Sequence, residues 1–144
     1  MEKYDELSIE SQLCFPLYAA SRELIKLYRP LLQELDLTYT QYIAMLVLWE
    51  EKSISVRDMG RKLHLDSGTL TPVLKSLEGK ALVKRYRCTS DERVLIIEPS
   101  PAGEALREKA KNVPKAMAQH MKLSGEERNQ LYGLLYKLLD SIDE

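Results

Sequence analysis

Residues 55–98 read SVRDMGRKLHLDSGTLTPVLKSLEGKALVKRYRCTSDERVLIIE, and the pattern of this stretch decides the fold. Apolar residues at helical spacing predict two short helices joined by a tight turn. The apolar stripes of the two helices are Val56, Met59 and Leu63, then Leu70, Leu74 and Leu77. In the turn, Asp66 or Ser67 is suited to cap the second helix, because a side-chain oxygen there accepts a free backbone N–H. Gly79 is predicted to end that helix by supplying a left-handed residue.

After the two helices the sequence predicts a β-hairpin. A basic strand, VKRYRC, is followed by a polar turn, TSDE, and an apolar strand, RVLIIE. Two helices and a hairpin in this order are typical of a winged helix-turn-helix, a module that places its second helix in the major groove of DNA. We therefore predict a mainly α-helical fold with a small β-hairpin wing.

The outer face of the second helix carries the side chains expected to contact DNA. This face is rich in hydroxyl groups and has one lysine, so it can reach both base edges and phosphates in a groove. The predicted contact residues on this helix are Asp66, Ser67, Thr69, Thr71, Pro72, Lys75 and Ser76.

Positive charge is concentrated in the same region. Residues 57–93 contain nine Lys and Arg against five Asp and Glu, whereas the rest of the chain has twelve basic and seventeen acidic residues. Arg85, Arg87 and Arg93 flank the hairpin turn, and an arginine at such a tip suits the minor groove of DNA. Asp91 is placed to pair with Arg93 and hold it extended. These charges could instead only keep an edge strand soluble, but together with the helix pair they favour double-stranded DNA as the partner.

Composition limits the class of protein. The chain has 144 residues, a net charge of −1 and 44% hydrophobic residues, as expected for one globular domain with appended helices. No apolar run could span a bilayer and the polar N-terminus lacks a signal-peptide pattern, so a cytoplasmic location is expected. Cys14 and Cys88 lack metal-ligand spacing, and we find no phosphate loop or nucleophile–base pair. We therefore expect no cofactor, no metal and no enzymatic activity.

The helices outside the DNA module indicate how the chain is divided. Leucines recur at threes and fours from about Ser11 to Gln33, and again near the C-terminus. A compact winged-helix core needs fewer apolar faces than these helices supply. We predict dimerisation helices over residues 1–35 and 100–144, a DNA-binding domain over 36–99, and a two-fold homodimer. The alternative is a monomer whose end helices pack only on its own core.

Pro16 is tolerated without cost only in the first turn of a helix, so the first long helix either starts between Ser11 and Phe15 or kinks there. In both cases Cys14 lies near a helix N-terminus. The helix dipole at that position favours a thiolate over a neutral thiol. From the residues alone, the more common role of such a cysteine is a small apolar group in a helix interface.

Several motifs resemble those of a known family. The runs QLCFPLYAASRELIKLYRP and LTYTQYIAMLVLWE, followed by LHLDSGTLTPVLKSLE and SDER, are similar to the MarR family of winged-helix transcription regulators. Within that family they resemble the OhrR branch, whose members are repressors that sense organic hydroperoxides. The resemblance covers nearly the whole chain.

The resemblance implies specific roles for residues of this chain. Cys14 occupies the position of the family's peroxide-reactive cysteine. Tyr28 and Tyr39 correspond to two tyrosines that hydrogen-bond that sulfur across the dimer and stabilise the thiolate, although simple packing is the alternative for both. Arg93 corresponds to the family's minor-groove arginine. The expected function is therefore a repressor that releases an inverted-repeat operator when Cys14 is oxidised.

Two departures from the family pattern affect this expectation. Pro16 stands where relatives have a small helix former, and residues 100–144 contain no cysteine that could act as a resolving partner. Cys88 belongs to the wing and is not assigned that role. We therefore expect a low-molecular-weight thiol to cap the oxidised Cys14. Two other functions remain open: a MarR-type regulator that binds a small aromatic ligand at the dimer cleft, and an architectural DNA binder without a switch.

Overall fold

A computed structural model describes residues 5–142 of the chain, which form a mostly helical fold with one small antiparallel sheet. A short 3₁₀ turn precedes the first α-helix. The helices and strands, in chain order, are α1 (Cys14–Gln33), α2 (Tyr39–Glu51), β1 (Ile54–Ser55), α3 (Val56–Leu63), α4 (Ser67–Gly79), β2 (Val83–Arg87), β3 (Leu95–Pro99), α5 (Pro101–Ala110), α6 (Asn112–Ala118) and α7 (Gly125–Ile142). This architecture confirms the predicted winged helix-turn-helix.

Helix α2 is the centre of the core, as its apolar composition predicts. Its buried side chains are Gln41, Tyr42, Ala44, Met45, Val47, Leu48 and Trp49. The Trp49 Nε1 atom donates a hydrogen bond to the Gly103 carbonyl at 2.8 Å and so fixes α5 against α2. Leu70, Leu74 and Leu77 of α4 are completely buried, which confirms the predicted apolar stripe of that helix.

The wing is larger than the predicted hairpin. Strand β3 pairs with β2 in antiparallel register, with Arg85 opposite Ile97, and pairs on its other side with β1. Strand β1 was not predicted, because a strand of two residues is too short to show an alternating pattern. The third strand ties the wing to the start of α3.

Helix ends follow the predicted capping chemistry with one exception. The Asp66 carboxylate accepts from the Thr69 N–H at 2.8 Å and caps α4. The prediction that Gly79 supplies a left-handed residue was wrong. Gly79 is the last helical residue, and Ala81 takes the left-handed conformation with φ of 62°. The chain reverses two residues after Gly79, at Ala81. This reversal allows the Leu82 N–H to donate a hydrogen bond to the Leu77 carbonyl at 3.0 Å.

The chain divides into two compact units, one that ends at Val113 and one that begins at Pro114. The first contains α5, which the sequence analysis grouped with the dimerisation helices. In the second unit, α7 exposes large apolar side chains along its length: Leu131, Tyr132, Leu134, Tyr136, Leu138 and Ile142. Across residues 5–142, no helix combines the length and apolar composition needed to cross a membrane.

Substituting alanine for Gly103 is expected to destabilise the fold strongly. A Cβ atom at this position would lie 2.1 Å from the Leu82 carbonyl oxygen and 3.3 Å from the Met45 side chain. The backbone must shift to relieve this clash, so we expect a loss of about 3 kcal/mol in the free energy of unfolding. Urea unfolding measures it. Gly79→Ala is the matched control, since nothing lies within 4 Å of its Cβ; equal stability of the two variants would contradict the prediction.

Candidate functional site

The outer face of α4 presents most of the side chains predicted to contact DNA. Ser67, Thr69, Pro72 and Lys75 are exposed, and Thr71 is half-buried. Hydrogen bonds from Thr69 lower the pKa of Asp66, which keeps that capping carboxylate ionised. These residues form one surface, because they surround the exposed side of a single helix.

Ser76 does not belong to this surface. Its hydroxyl oxygen accepts a hydrogen bond from Gln41 Nε2 at 2.8 Å, so its side chain faces α2 rather than solvent. The Ser76 hydroxyl therefore already has a partner within the chain, and a DNA contact for Ser76 stays a prediction. Helical spacing alone places Ser76 at the border of the apolar stripe, where the position of α2 decides which way it faces.

The tip of the wing carries one fully presented arginine. The side chain of Arg93 is 90% exposed, and its guanidinium bonds Asp91 through Nε at 3.1 Å and Nη2 at 3.3 Å. The Asp91 carboxylate also accepts from the Arg93 backbone N–H at 3.0 Å. These bonds lower the pKa of Asp91. The predicted pairing of Asp91 with Arg93 is confirmed, and it holds the arginine in one orientation at the hairpin turn.

The other two arginines of the wing differ in their surroundings. Arg85 was predicted beside the tip, but its guanidinium donates to Glu78 of α4 at 2.9 Å and its side chain is only 19% exposed. Arg85 therefore joins the wing to the end of α4 instead of lying free for DNA. Arg87 ends β2, is exposed, and lies next to the turn with Nη1 at 3.5 Å from the Glu92 carbonyl.

Three tyrosines lie together where α1 meets the start of α2. The ring centroids of Tyr28 and Tyr39 are 4.8 Å apart, and Tyr42 lies 5.8 Å from the first and 6.2 Å from the second. We call Tyr28, Tyr39 and Tyr42 the tyrosine cluster. Tyr42 was not among the residues that the sequence assigned to the candidate site. The signal was available, since positions 39 and 42 are three apart and share one face of α2.

The tyrosine cluster favours neutral phenol groups. Burial raises the pKa of Tyr28, and burial with a smaller effect of Tyr28 raises that of Tyr39. Burial, followed by the effects of Tyr28 and Tyr39, raises the pKa of Tyr42 to about 12. A neutral phenol donates a hydrogen bond, so the cluster supplies donors for an anion.

The stability contributed by this cluster is expected to depend on alkaline pH. A phenol whose pKa is raised on folding stabilises the fold fully below the ordinary value near 10. The contribution is lost as the pH rises through the folded value of about 12 for Tyr42. Tyrosinate absorbance should therefore show a late step near that pH, and Tyr42→Phe should remove it. An unchanged titration curve in that variant would contradict the assignment.

Cys14 is the first residue of α1 and is exposed. Pro16 lies in the first turn, as predicted. Tyr28 lies fourteen positions further along the same helix, which corresponds to about 21 Å along the helix axis. Tyr39 and Tyr42 adjoin Tyr28, so one chain does not bring its own Cys14 to its own tyrosine cluster.

The start of α1 is also exposed on every side. Its large apolar residues without a cover are Leu13, Phe15, Leu17 and Tyr18. Monomeric proteins rarely leave so many adjacent apolar side chains in water. The surroundings of Cys14 are therefore incomplete in the single chain.

Cys88 lies at the base of the wing turn and differs chemically from Cys14. Its sulfur is 3.2 Å from the Ser90 hydroxyl oxygen. Hydrogen bonds from Ser90 lower the pKa of the Cys88 thiol. Any test of Cys14 chemistry therefore requires a control for Cys88.

A cavity opens beside the tyrosine cluster. Its volume is about 420 Å³, which is within the range of pockets for small organic molecules. The lining residues are Ile25, Arg29, Leu32, Gln33, Asp36, Leu37, Thr38, Tyr39 and Lys80. The part of the wall contributed by α1 combines apolar Ile25 and Leu32 with polar Arg29 and Gln33. Lys80 adds a positive charge and Asp36 a negative one.

Comparison with known proteins places this geometry in a family. The family described as Transcriptional regulator SarA/Rot matches residues 26–113. The organic hydroperoxide resistance transcriptional regulator of Bacillus subtilis (strain 168) is 46% identical over 142 residues, covering 99% of this chain and 97% of that protein. The HTH-type transcriptional regulator MgrA of Staphylococcus aureus is 33% identical over 141 residues, covering 97% and 96% of the two chains.

Solved structures give the same relationship. AbfR of Staphylococcus epidermidis is similar in two DNA-bound forms. Its reduced form is 37% identical with a TM-score of 0.77, covering 94% of this chain and 95% of that chain. Its overoxidized form is 36% identical with a TM-score of 0.77, covering 93% and 94%. The chain therefore belongs to the MarR family of winged-helix transcription regulators, and within that family it is an OhrR-like regulator.

Proposed function

We propose that this protein is a repressor that binds an inverted-repeat operator as a homodimer and releases it when an organic hydroperoxide oxidises Cys14. The observation that carries the proposal is the separation of Cys14 from the tyrosine cluster along α1. Cys14 is exposed at the start of α1, and Tyr28 lies about 21 Å further along that helix. A second copy can place its tyrosines beside the first copy's sulfur, and two such sites complete a two-fold dimer.

The exposed apolar faces support the dimer. The start of α1 and the length of α7 expose large side chains that a partner would bury. Both faces lie within the ranges 1–35 and 100–144, so we assign dimerisation to those ranges and DNA binding to residues 36–99. Two DNA-binding domains, here called heads, are related by the two-fold axis and match half-sites about one turn of the duplex apart.

In each head α4 enters the major groove and the wing reaches the adjacent minor groove. The exposed face with Ser67, Thr69, Pro72 and Lys75 contacts base edges and phosphates, and Arg93 enters the minor groove. Arg87 contributes charge beside the turn. The relative AbfR, solved bound to DNA in reduced and overoxidized forms, supports a reading module of this kind.

The sensing step is a two-electron oxidation of sulfur. The Cys14 thiolate attacks the terminal oxygen of ROOH, the O–O bond breaks, and the departing alkoxide takes a proton to become ROH. The product is a sulfenic acid, whose sulfur has lost the negative charge that the tyrosine hydroxyls bind. A low-molecular-weight thiol then attacks that sulfur, which forms a mixed disulfide and releases water. The new bulk separates the packed helices and changes the spacing of the two heads.

This chemistry is stoichiometric, as expected for a regulator and not for an enzyme. The proposed location of the regulator is the cytoplasm. Each oxidised molecule stays off its operator until a thiol restores Cys14. The apolar residues Phe15, Leu17 and Tyr18 near the sulfur favour alkyl or lipid-like hydroperoxides over more polar oxidants.

Titration of operator binding against cumene hydroperoxide, with a low-molecular-weight thiol present, tests the function. We expect binding to be lost as the peroxide approaches one equivalent per chain and to be restored by dithiothreitol. If operator binding ignores the peroxide but weakens reversibly with a small aromatic ligand, the protein is a ligand-controlled regulator without cysteine chemistry. Equal affinity for random DNA at physiological salt would indicate an architectural binder.

A further inference from the structure

Gln41 is a buried polar residue that joins three separate parts of the DNA-binding domain. It is 6% exposed, and its side chain bonds each part directly. Its Oε1 atom accepts from the Thr38 backbone N–H at 3.0 Å and from Lys80 Nζ at 3.0 Å, while its Nε2 atom donates to Ser76 Oγ at 2.8 Å. Gln41 therefore links the start of α2, the loop after α4, and α4 itself.

The position of Gln41 along the chain gives this network its significance. Gln41 lies in the first turn of α2, between Tyr39 and Tyr42 of the tyrosine cluster. The same turn is held by the reciprocal bond from the Gln41 N–H to Thr38 Oγ1 at 3.3 Å. A displacement of Tyr39 therefore moves the residue that holds α4.

The loop before α2 is tied to the same network. Lys80 Nζ also donates to the Asp36 carbonyl, and Asp36 adopts a left-handed conformation with φ of 55°. Lys80 is therefore hydrogen-bonded both to Gln41 and to the loop that connects α1 to α2. The end of α4 is bonded to the part of the molecule that carries the tyrosine cluster, and not only packed against it.

We propose that Gln41 is the positioning residue that couples the tyrosine cluster to the recognition helix α4. This inference rests on the proposed peroxide response and deepens it. When the oxidised and thiol-capped Cys14 displaces the tyrosines, the first turn of α2 moves, and the Gln41–Ser76 bond carries that movement into α4. Apolar packing between α2 and α4 allows small sliding, whereas a hydrogen bond of 2.8 Å holds one register.

Gln41→Met tests the coupling, because methionine keeps the length of the side chain and removes its hydrogen bonds. Operator affinity is measured for reduced and peroxide-treated protein, together with the rate of Cys14 oxidation. We expect the oxidation rate to stay within about twofold of wild type, and the ratio of reduced to oxidised affinity to fall at least about fivefold. An unchanged ratio would overturn the proposal.

Two further variants separate coupling from loss of structure. Gln41→Glu keeps acceptors for Thr38 N and Lys80 and accepts from the Ser76 hydroxyl, so it should restore the ratio to within about twofold of wild type. Ser76→Ala removes only the bond to α4 and leaves the Thr38 cap in place, and it serves if Gln41→Met does not fold. A wild-type ratio in Ser76→Ala would also contradict the proposal.

Hydrogen exchange distinguishes failure of this inference from failure of the proposed function. In reduced protein, Tyr39→Ala should speed exchange of the α4 amides at least about fivefold relative to wild type. In the Gln41→Met background, the same substitution should speed it less than about twofold relative to Gln41→Met alone. This measurement needs no peroxide response. Faster exchange in both backgrounds would overturn the role of Gln41, whereas a wild type that ignores peroxide would overturn only the sensing function.

Discussion

The Cys14→Ser variant is expected to bind the operator as tightly as the reduced wild type and to remain bound after treatment with organic hydroperoxide. Serine is slightly smaller than cysteine and its hydroxyl oxygen accepts hydrogen bonds from the tyrosines in place of the thiolate, but a peroxide does not oxidise it. Wild-type affinity should fall on the order of 100-fold after treatment, which is within the usual range of coupling between two sites. The variant should lose none of its affinity. Fluorescence anisotropy with a labelled operator measures both proteins.

Cys88→Ser is the control for this prediction. The hydrogen bonds from Ser90 lower the pKa of the Cys88 thiol, which favours its thiolate form, and the wing is the predicted minor-groove contact. We expect Cys88→Ser to respond to peroxide as the wild type does. If Cys14→Ser still releases the operator and Cys88→Ser does not, the sensor lies in the wing and the proposed site is wrong.

Replacing Arg93 with alanine is expected to weaken operator binding by about 10- to 100-fold, since a dimer loses two groove contacts. The side chain is 90% exposed and held by Asp91, so little reorganisation is needed to enter a minor groove. The slope of log affinity against log salt should fall by about one for each copy. Thermal unfolding should be nearly unchanged, because the hydrogen bonds that Arg93 makes within residues 5–142 all go to Asp91 in the same turn.

Arg107→Ala is the matched control for the wing. Arg107 is an exposed arginine of α5, so its removal changes the net charge equally without touching the wing. A loss of affinity equal to that of Arg93→Ala would show that general charge, and not the position of Arg93, supports binding. Asp91→Ala should have a smaller effect than Arg93→Ala, because it frees the arginine without removing it.

Much of the fold could be predicted because its signals are local. The spacing of Leu70, Leu74 and Leu77 defines one face of α4, and the capping oxygen of Asp66 marks where that helix begins. The strand–turn–strand pattern of the wing is equally local. The pairing of Asp91 with Arg93 needs only two residues of separation in a turn.

The sequence was least informative where a distant segment decides the surroundings of a residue. Ser76 has the composition of a DNA contact, but it faces Gln41, which is 35 positions away in sequence. Arg85 looks like a wing-tip charge until the fold brings Glu78 beside it. Gly79 has the residue type of a left-handed cap, yet the path to β2 places that conformation at Ala81. None of these outcomes follows from residue spacing.

The candidate sensing site was predicted from a resemblance of motifs, which assigned roles to Cys14, Tyr28 and Tyr39. Residue spacing could not have grouped these residues into one site, because Cys14 and the tyrosines lie far apart within one chain. A local role for Gln41 was predictable from the sequence, because Thr38 and Gln41 have the spacing of a capping box. Its bonds to Ser76 and Lys80 depend on tertiary structure.

The central claim is that each sensing site takes its sulfur from one copy and its tyrosines from the other. Mixed dimers of Cys14→Ser chains with Tyr28→Phe/Tyr39→Phe chains test it directly through the rate of Cys14 oxidation by cumene hydroperoxide. In such a dimer the intact Cys14 faces the intact tyrosines only if the site crosses the two copies. We predict oxidation at the wild-type rate in the mixed dimer and slow oxidation in the Tyr28→Phe/Tyr39→Phe homodimer. Equally slow oxidation in both would contradict the shared site.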